Sequence, residues 1–368
     1  MEQAQHQKKY PRWSWAGNQI GNPDLGNVGR VFASVMACLL GFLVSAAIIH
    51  LFLCRGDNLT RFYAPLRSEK LAMLARDPRL FNLAAFGSSH MHDGFDPRAF
   101  ENGFFGGSNA DQCFNLAVEA GCQTEQREMA LEYLKYVKNR GGDHAILILE
   151  LSANLNFTPE YLTSPRVINI YDWSNLKFAL KFSDQNIGLL RVLGRAQFAL
   201  RAAGLHYLNL GMLSNLIFHP GLDESMISLQ TSLDRRGLDP LTSPKDSGIA
   251  QKISQCSGKL YTTNGEILPG DYNLLRDIYS SSELKHIQFV YVVLPLLQNM
   301  VKGEIPRYPA EIDGPNGKVP IINLYDSCSP LMRPDYWHDY AHVNESGAGE
   351  LSWILGEKLR ELYSTASN

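Results

Sequence analysis

The sequence predicts an α/β fold in which a mostly parallel sheet is covered by helices, with one transmembrane helix in front of it. Three observations support this prediction. Short apolar runs recur along the C-terminal part of the 368-residue chain, an amphipathic helical segment separates two of them, and an uncharged apolar stretch lies near the N-terminus. Apolar runs that alternate with helical segments are typical of parallel α/β sheets.

Five apolar runs have the length and composition of buried strands. Parallel strands that are covered on both faces appear as near-continuous apolar runs, because both sets of alternating side chains are buried. The predicted strands are Leu83–Phe86, Cys113–Val118, Ala145–Leu151, Ile287–Leu296 and Val319–Leu324.

Helical segments separate and follow these strands. Residues 125–138 carry apolar side chains at helical spacing, and Gly141 stops the helix. A final helix is predicted over residues 348–362. Residues 157–285 are too long for a single crossover and lack clear strand signals, so we expect a mostly helical insertion there. Within it, residues 187–218 are markedly apolar, which fits either a pair of core helices or an interfacial or partner-docking helix.

One segment is long and apolar enough to cross a bilayer. Residues 31–54 contain no Asp, Glu, Lys or Arg, and about 20 apolar residues suffice for a transmembrane helix. A core helix of this length is rarely uncharged throughout, and a signal peptide has a shorter apolar region. We therefore predict a retained anchor, a loose polar tail over 1–30, a connector over 55–80 and a soluble domain over 81–368. Lysine and arginine are balanced on the two sides of the anchor, so charge does not decide its orientation.

Composition narrows the class of protein further. The net charge is −3 and charged residues make up 19% of the chain. The sequence therefore lacks the excess of positive charge that is typical of nucleic-acid-binding proteins. Four cysteines outside the predicted anchor lack the paired spacing of a zinc site. They fit disulfides in an oxidising compartment or free thiols equally well. The four cysteines are Cys113, Cys122, Cys256 and Cys328. We expect no metal and no other cofactor.

The first motif with chemical content is Gly87-Ser88-Ser89, directly after the first predicted strand. A glycine lets the chain turn sharply, so the next side chains are presented at the carboxyl edge of the sheet. A serine hydroxyl at the start of the following helix can act as a nucleophile, and its own N–H can face an oxyanion. The motif is weak by itself, because many serine-rich turns resemble it.

The second motif is Asp339-x-x-His342, which precedes the final helix. His342 would accept the serine proton, while Asp339 would fix its tautomer and stabilise the imidazolium. The alternative is a helix cap, in which Asn344 or Ser346 begins the helix and His342 lies at the surface. Two such motifs at opposite ends of one sheet are less easily accidental than either alone. We therefore predict a catalytic triad of Ser89, His342 and Asp339.

Further polar residues are candidates for the same site. Asn154 follows the third strand and could donate its amide to an oxyanion, although a loop-capping role fits as well; Gly121 could offer a backbone N–H. His90, His92 and Asp93 crowd the serine turn. They are candidates for contacts to substrate, and His90 is also a candidate for an alternative base.

The order of these motifs resembles the SGNH/GDSL hydrolase superfamily. The shared order is Gly-x-Ser after the first strand, a glycine after the second, an asparagine after the third and Asp-x-x-His before the last helix. Ser89 matches the nucleophile position of the Gly-Asp-Ser motif, and Ser88 replaces its aspartate. The stretch 94–97 and the aromatic block 336–344 are similar to the membrane-anchored branch of DltD-like and AlgX/AlgJ-like proteins.

This resemblance, which covers residues 81–156 and 286–362, implies a three-layer α/β/α domain. It also implies that the anchor places this domain in the periplasm or outside the cell, often beside a membrane-bound O-acyltransferase. In the implied ping-pong chemistry, Ser89 accepts an acyl group, with acetyl the first expectation, and passes it to a polysaccharide or another glycan. Gly121 and Asn154 match the oxyanion hole. The alternatives are a polysaccharide O-acyl esterase and a non-catalytic scaffold for a membrane-bound O-acyltransferase.

Overall fold

The protein is described here by a computed structural model and divides into two units, residues 1–48 and 49–368. The structure describes residues 25–53, 65–107, 112–119, 121–151, 172–181, 189–207, 235–242, 248–254, 261–327 and 329–366.

The first unit contains most of one long helix, α1, which spans Leu25–Leu53. Within it, Val28–Ile49 form a segment of 22 residues with a mean hydropathy of 2.4, long and apolar enough to cross a membrane. Only 6% of the segment is buried, whereas a core helix would be mostly buried. The helix begins at Leu25, inside the stretch predicted as a loose tail, because residues 25–30 contain no proline to stop it.

The second unit is built on a six-stranded, mostly parallel sheet. Its strands are β1 Leu83–Phe86, β2 Cys113–Asn115, β3 His144–Glu150, β5 His286–Val293, β7 Glu311–Gly314 and β8 Gly317–Asn323. They lie in the order β2-β1-β3-β5-β8-β7. All neighbouring pairs are parallel except the antiparallel pair of β7 and β8. A separate parallel pair joins β4, Tyr261–Asn264, to β6, Glu304–Arg307.

The helices of this unit pack in two groups. Their bounds are α2 Pro65–Arg76, α3 Ser89–Gly94, α4 Pro97–Phe104, α5 Gln123–Asn139, α6 Trp173–Lys181, α7 Leu189–Tyr207, α8 Ile249–Ser254, α9 Pro269–Ser281, α10 Leu297–Lys302 and α11 Glu345–Ala366. Helix α5 contacts α2, α6 and α9, whereas α11 contacts α3 and α4. The apolar side chains of both groups and of the strands form one core.

The five predicted strands are all present, so the predicted α/β fold with a mostly parallel sheet is confirmed. The reason is burial: Leu147, Ile148 and Leu149 of β3 are fully inaccessible to solvent. Strands β4, β6 and β7 were not predicted. Each has only four residues, and the described residues of β6 and β7 are largely half-buried or exposed, so they lack the apolar run of a central strand.

The region predicted as an insertion, residues 157–285, is not wholly separate from the sheet domain. Helix α9 lies within it, yet its Leu274, Leu275 and Ile278 are buried in the common core. Helices α6, α7 and α8 also fall in this region, as expected of a mostly helical segment. Of the apolar stretch 187–218, α7 covers residues 189–207, and residues 208–218 lie outside the described part of the chain.

The predicted connector, residues 55–80, contains helix α2, and this helix packs on the sheet domain. Leu74 is 1% exposed and Lys70 is 0% exposed. Helix α2 contacts α5. The predicted connector therefore contains a charged residue, Lys70, that is completely buried.

Candidate active site

The serine turn lies at the point where the strand order reverses. From β1 the chain first adds β2 on one side and later β3 on the other, so the crevice at the carboxyl ends of β1 and β3 is a topological switch point. Ligands of open α/β sheets commonly bind in such a crevice. Phe86 at the end of β1 pairs with Leu149 of β3, so the next residues, Gly87 and Glu150, come together there.

Gly87 is required by this close approach. A Cβ atom at Gly87 would overlap the side chain of Glu150 and the Cβ of Met91. Only glycine therefore lets the chain leave β1 beside Glu150 and enter helix α3 at Ser89. The tight turn presents the Ser89 hydroxyl at the start of that helix.

Ser89, His342 and Asp339 form a continuous hydrogen-bond chain. The Ser89 Oγ and His342 Nε2 atoms are 2.9 Å apart. His342 Nδ1 lies 3.0 Å from each carboxylate oxygen of Asp339. Because the carboxylate can only accept when ionised, Nδ1 carries the hydrogen and Nε2 is left to accept from the serine. The fold thus brings together three residues that are up to 253 positions apart.

Asp339 is fixed by its own loop as well as by His342. Its Oδ1 accepts hydrogen bonds of 2.8 Å from the backbone N–H groups of Ala341 and His342. Burial alone would raise the pKa of Asp339, but these amides and the His342 ring outweigh it, and the pKa is lowered from its usual value. The carboxylate therefore stays ionised beside the imidazole.

The loop that carries this pair is anchored in the core. Trp337 is fully buried, and its indole N–H donates to the Leu331 carbonyl at 2.7 Å. A β-bridge pairs Trp337 with Val343. Asn344 accepts from the Gly347 N–H and so caps α11, which is the helix-cap role that the sequence left open for it. Capping and the serine contact of His342 coexist, because different residues of the loop supply them.

Glu150 was not singled out from the sequence, yet it is the buried carboxylate beneath the serine turn. Its side chain is 3% exposed. It accepts from the Ser88 N–H at 2.6 Å and from Ser88 Oγ at 2.9 and 3.0 Å. His90 Nδ1 lies 3.3 Å from Glu150 Oε1. The available signal was a single acidic residue at the carboxyl end of an otherwise apolar run.

His90 lies beside this hydrogen-bond chain. Its ring centroid is 5.1 Å from that of His342, with an angle of 31° between the ring planes. Burial lowers the pKa of His90, but the hydrogen bond and charge of Glu150, with the charges of Asp93 and Asp339, outweigh it, so the pKa is raised overall. The imidazole of His90 therefore holds a proton to higher pH than an ordinary histidine.

His92 and Asp93 face a buried polar cluster around Lys70 of α2. Lys70 Nζ donates to the Ala117 carbonyl at 2.6 Å and lies 2.8 Å from His92 Nδ1. Burial lowers the pKa of Lys70 to about 7, against the opposing charges of Asp93 and Asp239. Burial likewise raises the pKa of Asp93 to about 7, although Lys70 opposes the rise. His92 and Asp93, predicted as candidates for substrate contacts, are 4% and 8% exposed and are thus largely occupied by this cluster.

Asn115 of β2 holds the other end of α3. Its Nδ2 lies 2.9 to 3.1 Å from the carbonyl oxygens of Met91, His92 and Phe95. Its Oδ1 accepts from the Ala117 N–H at 3.0 Å. Asn115 therefore ties the end of the serine-bearing helix to the neighbouring strand.

Of the two residues predicted for the oxyanion hole, only Gly121 lies in the part of the chain that the structure describes. The Gly121 N–H donates to the Val118 carbonyl at 2.9 Å, so in this structure it is not directed at an oxyanion. Gly121 instead permits close approach of the Gly87 carbonyl, because a Cβ would contact that oxygen. Asn154 lies outside the described residues.

Among the described residues, no group of three or more His, Cys, Asp or Glu side chains is arranged to hold a metal ion. The Nδ1 atom of His338 lies 3.1 Å from the Thr242 carbonyl, and His342 is engaged by Ser89 and Asp339. No protein-family model matches the sequence, and no curated protein matches it significantly.

Proposed function

We propose that this protein is a membrane-anchored serine acyltransferase of the cell envelope, which moves an acyl group, acetyl in the first instance, onto an extracytoplasmic polysaccharide. The observation that carries the proposal is the hydrogen-bond chain from Ser89 through His342 to Asp339. A hydroxyl within hydrogen-bond reach of an imidazole that is oriented by a carboxylate is the arrangement used for nucleophilic acyl transfer.

In the first half-reaction, Ser89 Oγ attacks the carbonyl carbon of the acyl donor while its proton passes to His342 Nε2. Collapse of the tetrahedral intermediate breaks the bond to the donor's leaving oxygen, which takes that proton from His342. Asp339 stabilises the imidazolium that forms between these two steps. The product is an ester of Ser89, and the freed donor carries the hydrogen.

In the second half-reaction, a glycan hydroxyl attacks the ester of Ser89. His342 Nε2 takes the proton of that hydroxyl and returns a proton to Ser89 Oγ as the ester bond breaks. The Ser89 N–H, at the first position of α3, is our candidate donor to the oxyanion. Asn154, matched by the resemblance to the SGNH/GDSL superfamily, is the candidate for a second donor.

The preference for transfer over hydrolysis rests on the anchor and on the resemblance to the anchored SGNH branch. Helix α1 supports a single-pass attachment to the cytoplasmic membrane, and the branch implies a three-layer α/β/α domain on the periplasmic or outer side. For such a transferase we propose a membrane-bound O-acyltransferase as the partner that supplies the acyl groups. The same triad would serve a polysaccharide O-acyl esterase if water replaced the glycan.

The test uses the full chain in detergent micelles with p-nitrophenyl acetate. The wild type is expected to release a burst of p-nitrophenol, and Ser89→Ala and His342→Ala are expected to abolish it. His338→Ala, four positions away in the same loop, and Ser280→Ala, an exposed serine of α9, are matched controls that should retain it. Equal rates for the wild type, Ser89→Ala and His342→Ala would contradict the proposal and favour the scaffold.

Addition of an oligosaccharide acceptor separates the two enzyme readings. Mass spectrometry should find acyl groups on the oligosaccharide with the wild type and none with Ser89→Ala. Acetate as the sole acyl product would favour the esterase. A periplasm-active reporter fused to the C-terminus should be active, and an inactive reporter would contradict the proposed topology.

A further inference from the structure

A second imidazole lies next to the proposed triad without belonging to it. His90 follows the proposed nucleophile directly in sequence, and its ring lies 5.1 Å from the ring of His342, tilted by 31°. The two rings are therefore neighbours whose planes are tilted rather than parallel. A ligand atom that reaches His342 Nε2, which already contacts Ser89 Oγ at 2.9 Å, arrives in the neighbourhood of the second ring.

The orientation of His90 is set by a buried carboxylate. Its Nδ1 lies 3.3 Å from Glu150 Oε1 and 3.3 Å from Ser88 Oγ. Glu150 is itself held by the Ser88 N–H at 2.6 Å. A carboxylate can only accept, so the hydrogen on this side of the ring belongs to Nδ1. The neutral form of His90 therefore carries its lone pair at Nε2.

The opposite edge of the same ring is available to a ligand. Within the described residues, Nε2 of His90 has no hydrogen-bond partner, and 26% of the side chain is exposed, against 3% for Glu150. A sugar hydroxyl both donates and accepts, so it can hydrogen-bond to Nε2 in the neutral or in the protonated ring. The pair of His90 and Glu150 thus has one fixed edge and one open edge.

We propose that His90 Nε2 binds a second hydroxyl of the acyl acceptor, next to the hydroxyl that His342 activates, and that Glu150 is the positioning residue that holds His90 for this contact. This inference rests on the proposed function and adds a substrate class to it. The preferred acceptors carry hydroxyls on adjacent carbons, as sugar rings do, whereas water and isolated alcohols make only one of the two contacts.

The test compares two acceptors that differ by one hydroxyl, cis-cyclohexane-1,2-diol and cyclohexanol. The full chain in detergent is given p-nitrophenyl acetate and either alcohol, and the acetate esters are quantified by gas chromatography. Two equivalent hydroxyls alone would double the rate. The second contact should raise the ratio of diol to cyclohexanol transfer about fivefold further, since a net hydrogen bond is worth about 1 kcal/mol.

Variants of the second pair assign this preference. His90→Phe keeps an aromatic ring beside His342 but has no ring nitrogen, so its ratio of diol to cyclohexanol transfer should fall to about two. Glu150→Gln should lower the ratio as well, because the amide no longer enforces a hydrogen on Nδ1. His90→Gln, which can place an amide near the position of Nε2, should recover part of the preference. A merely structural role would slow both acceptors alike and leave the ratio unchanged.

The outcomes separate this inference from the function on which it rests. A wild type that gives the p-nitrophenol burst but a diol ratio near two overturns the role of His90 and leaves the acyl-enzyme intact. The same holds if His90→Phe keeps the full wild-type ratio. A wild type without any Ser89-dependent burst refutes the proposed function instead.

Discussion

Replacing Lys70 by methionine should change how the stability of the protein depends on pH. Lys70 is completely buried, and its Nζ contacts the Ala117 carbonyl at 2.6 Å and His92 Nδ1 at 2.8 Å. Its pKa falls from 10.5 to about 7 on folding, because burial penalises the charged ammonium more than Asp93 and Asp239 favour it.

The sign of the effect follows from the two pKa values. Between about pH 7 and 10.5 the unfolded chain holds the Lys70 proton and the folded chain has lost it. The unfolded state therefore binds more protons in this range, and the stability contributed by Lys70 rises with pH. The slope is about 1.4 kcal/mol per pH unit for one group, which amounts to about 2–3 kcal/mol between pH 7.5 and 9.5.

The assay is urea unfolding of the full chain in detergent at pH 7.5, 8.5 and 9.5, followed by tryptophan fluorescence. The difference in unfolding free energy between the wild type and Lys70→Met should move in favour of the wild type by about 2–3 kcal/mol over this range. Lys135→Met on α5, where the lysine is exposed, should keep the same difference in unfolding free energy from the wild type at all three pH values. A pH-independent difference for Lys70→Met as well would refute the inference that the buried lysine is neutral.

Three further predictions concern the site and its support. Asp339→Asn should slow the p-nitrophenol burst by a factor on the order of 10³ to 10⁴ with little loss of stability, because the amide no longer selects the reactive tautomer of the neighbouring imidazole. Stopped-flow absorbance measures the burst rate, and a burst at the wild-type rate would contradict the prediction. In thermal melts, Gly87→Ala should lower stability by about 1–3 kcal/mol, since the new Cβ overlaps its neighbours. The control Gly349→Ala, whose Cβ would meet nothing within 4 Å, should be neutral or stabilising by up to about 1 kcal/mol. Glu101→Gln should cost about 3–5 kcal/mol in urea unfolding, because it removes the carboxylate from a buried ion pair whose side chains are 1% and 4% exposed, with Arg236 Nη1 2.7 Å from Glu101 Oε2. A loss below about 1 kcal/mol would count against that ion pair.

The central strands and the grouping of Ser89, His342 and Asp339 could be predicted because each leaves a local pattern in the sequence. An apolar run such as Leu83–Phe86 is visible without knowledge of its neighbours, and its bounds agree with those of β1. The Asp339-x-x-His342 spacing and the glycine before Ser88-Ser89 are equally local. Joining the two motifs needed only the rule that the carboxyl ends of parallel strands meet at one edge.

The supporting residues could not be predicted in this way, because their partners come from distant segments. Lys70 looks like one charge among several in residues 55–80, and only the packing of α2 against the sheet domain makes it a buried group. Glu150 is adjacent to Ser88 through the register of β1 and β3, which the sequence does not contain. The engagement of the Gly121 N–H by Val118 likewise depends on one turn geometry.

The short helix that begins with Ser89 is gripped at both ends by side chains from its two flanking strands. Glu150 of β3 holds the Ser88 amide, and Asn115 of β2 lies against the carbonyls at the far end. A deletion of one residue in either strand would displace the side chain that makes these contacts by about 3.3 Å along the strand. No hydrogen bond can span such a displacement. Distant relatives that keep this arrangement should therefore be recognisable by ungapped alignment through β1, β2 and β3, with length variation confined to the chain between these strands.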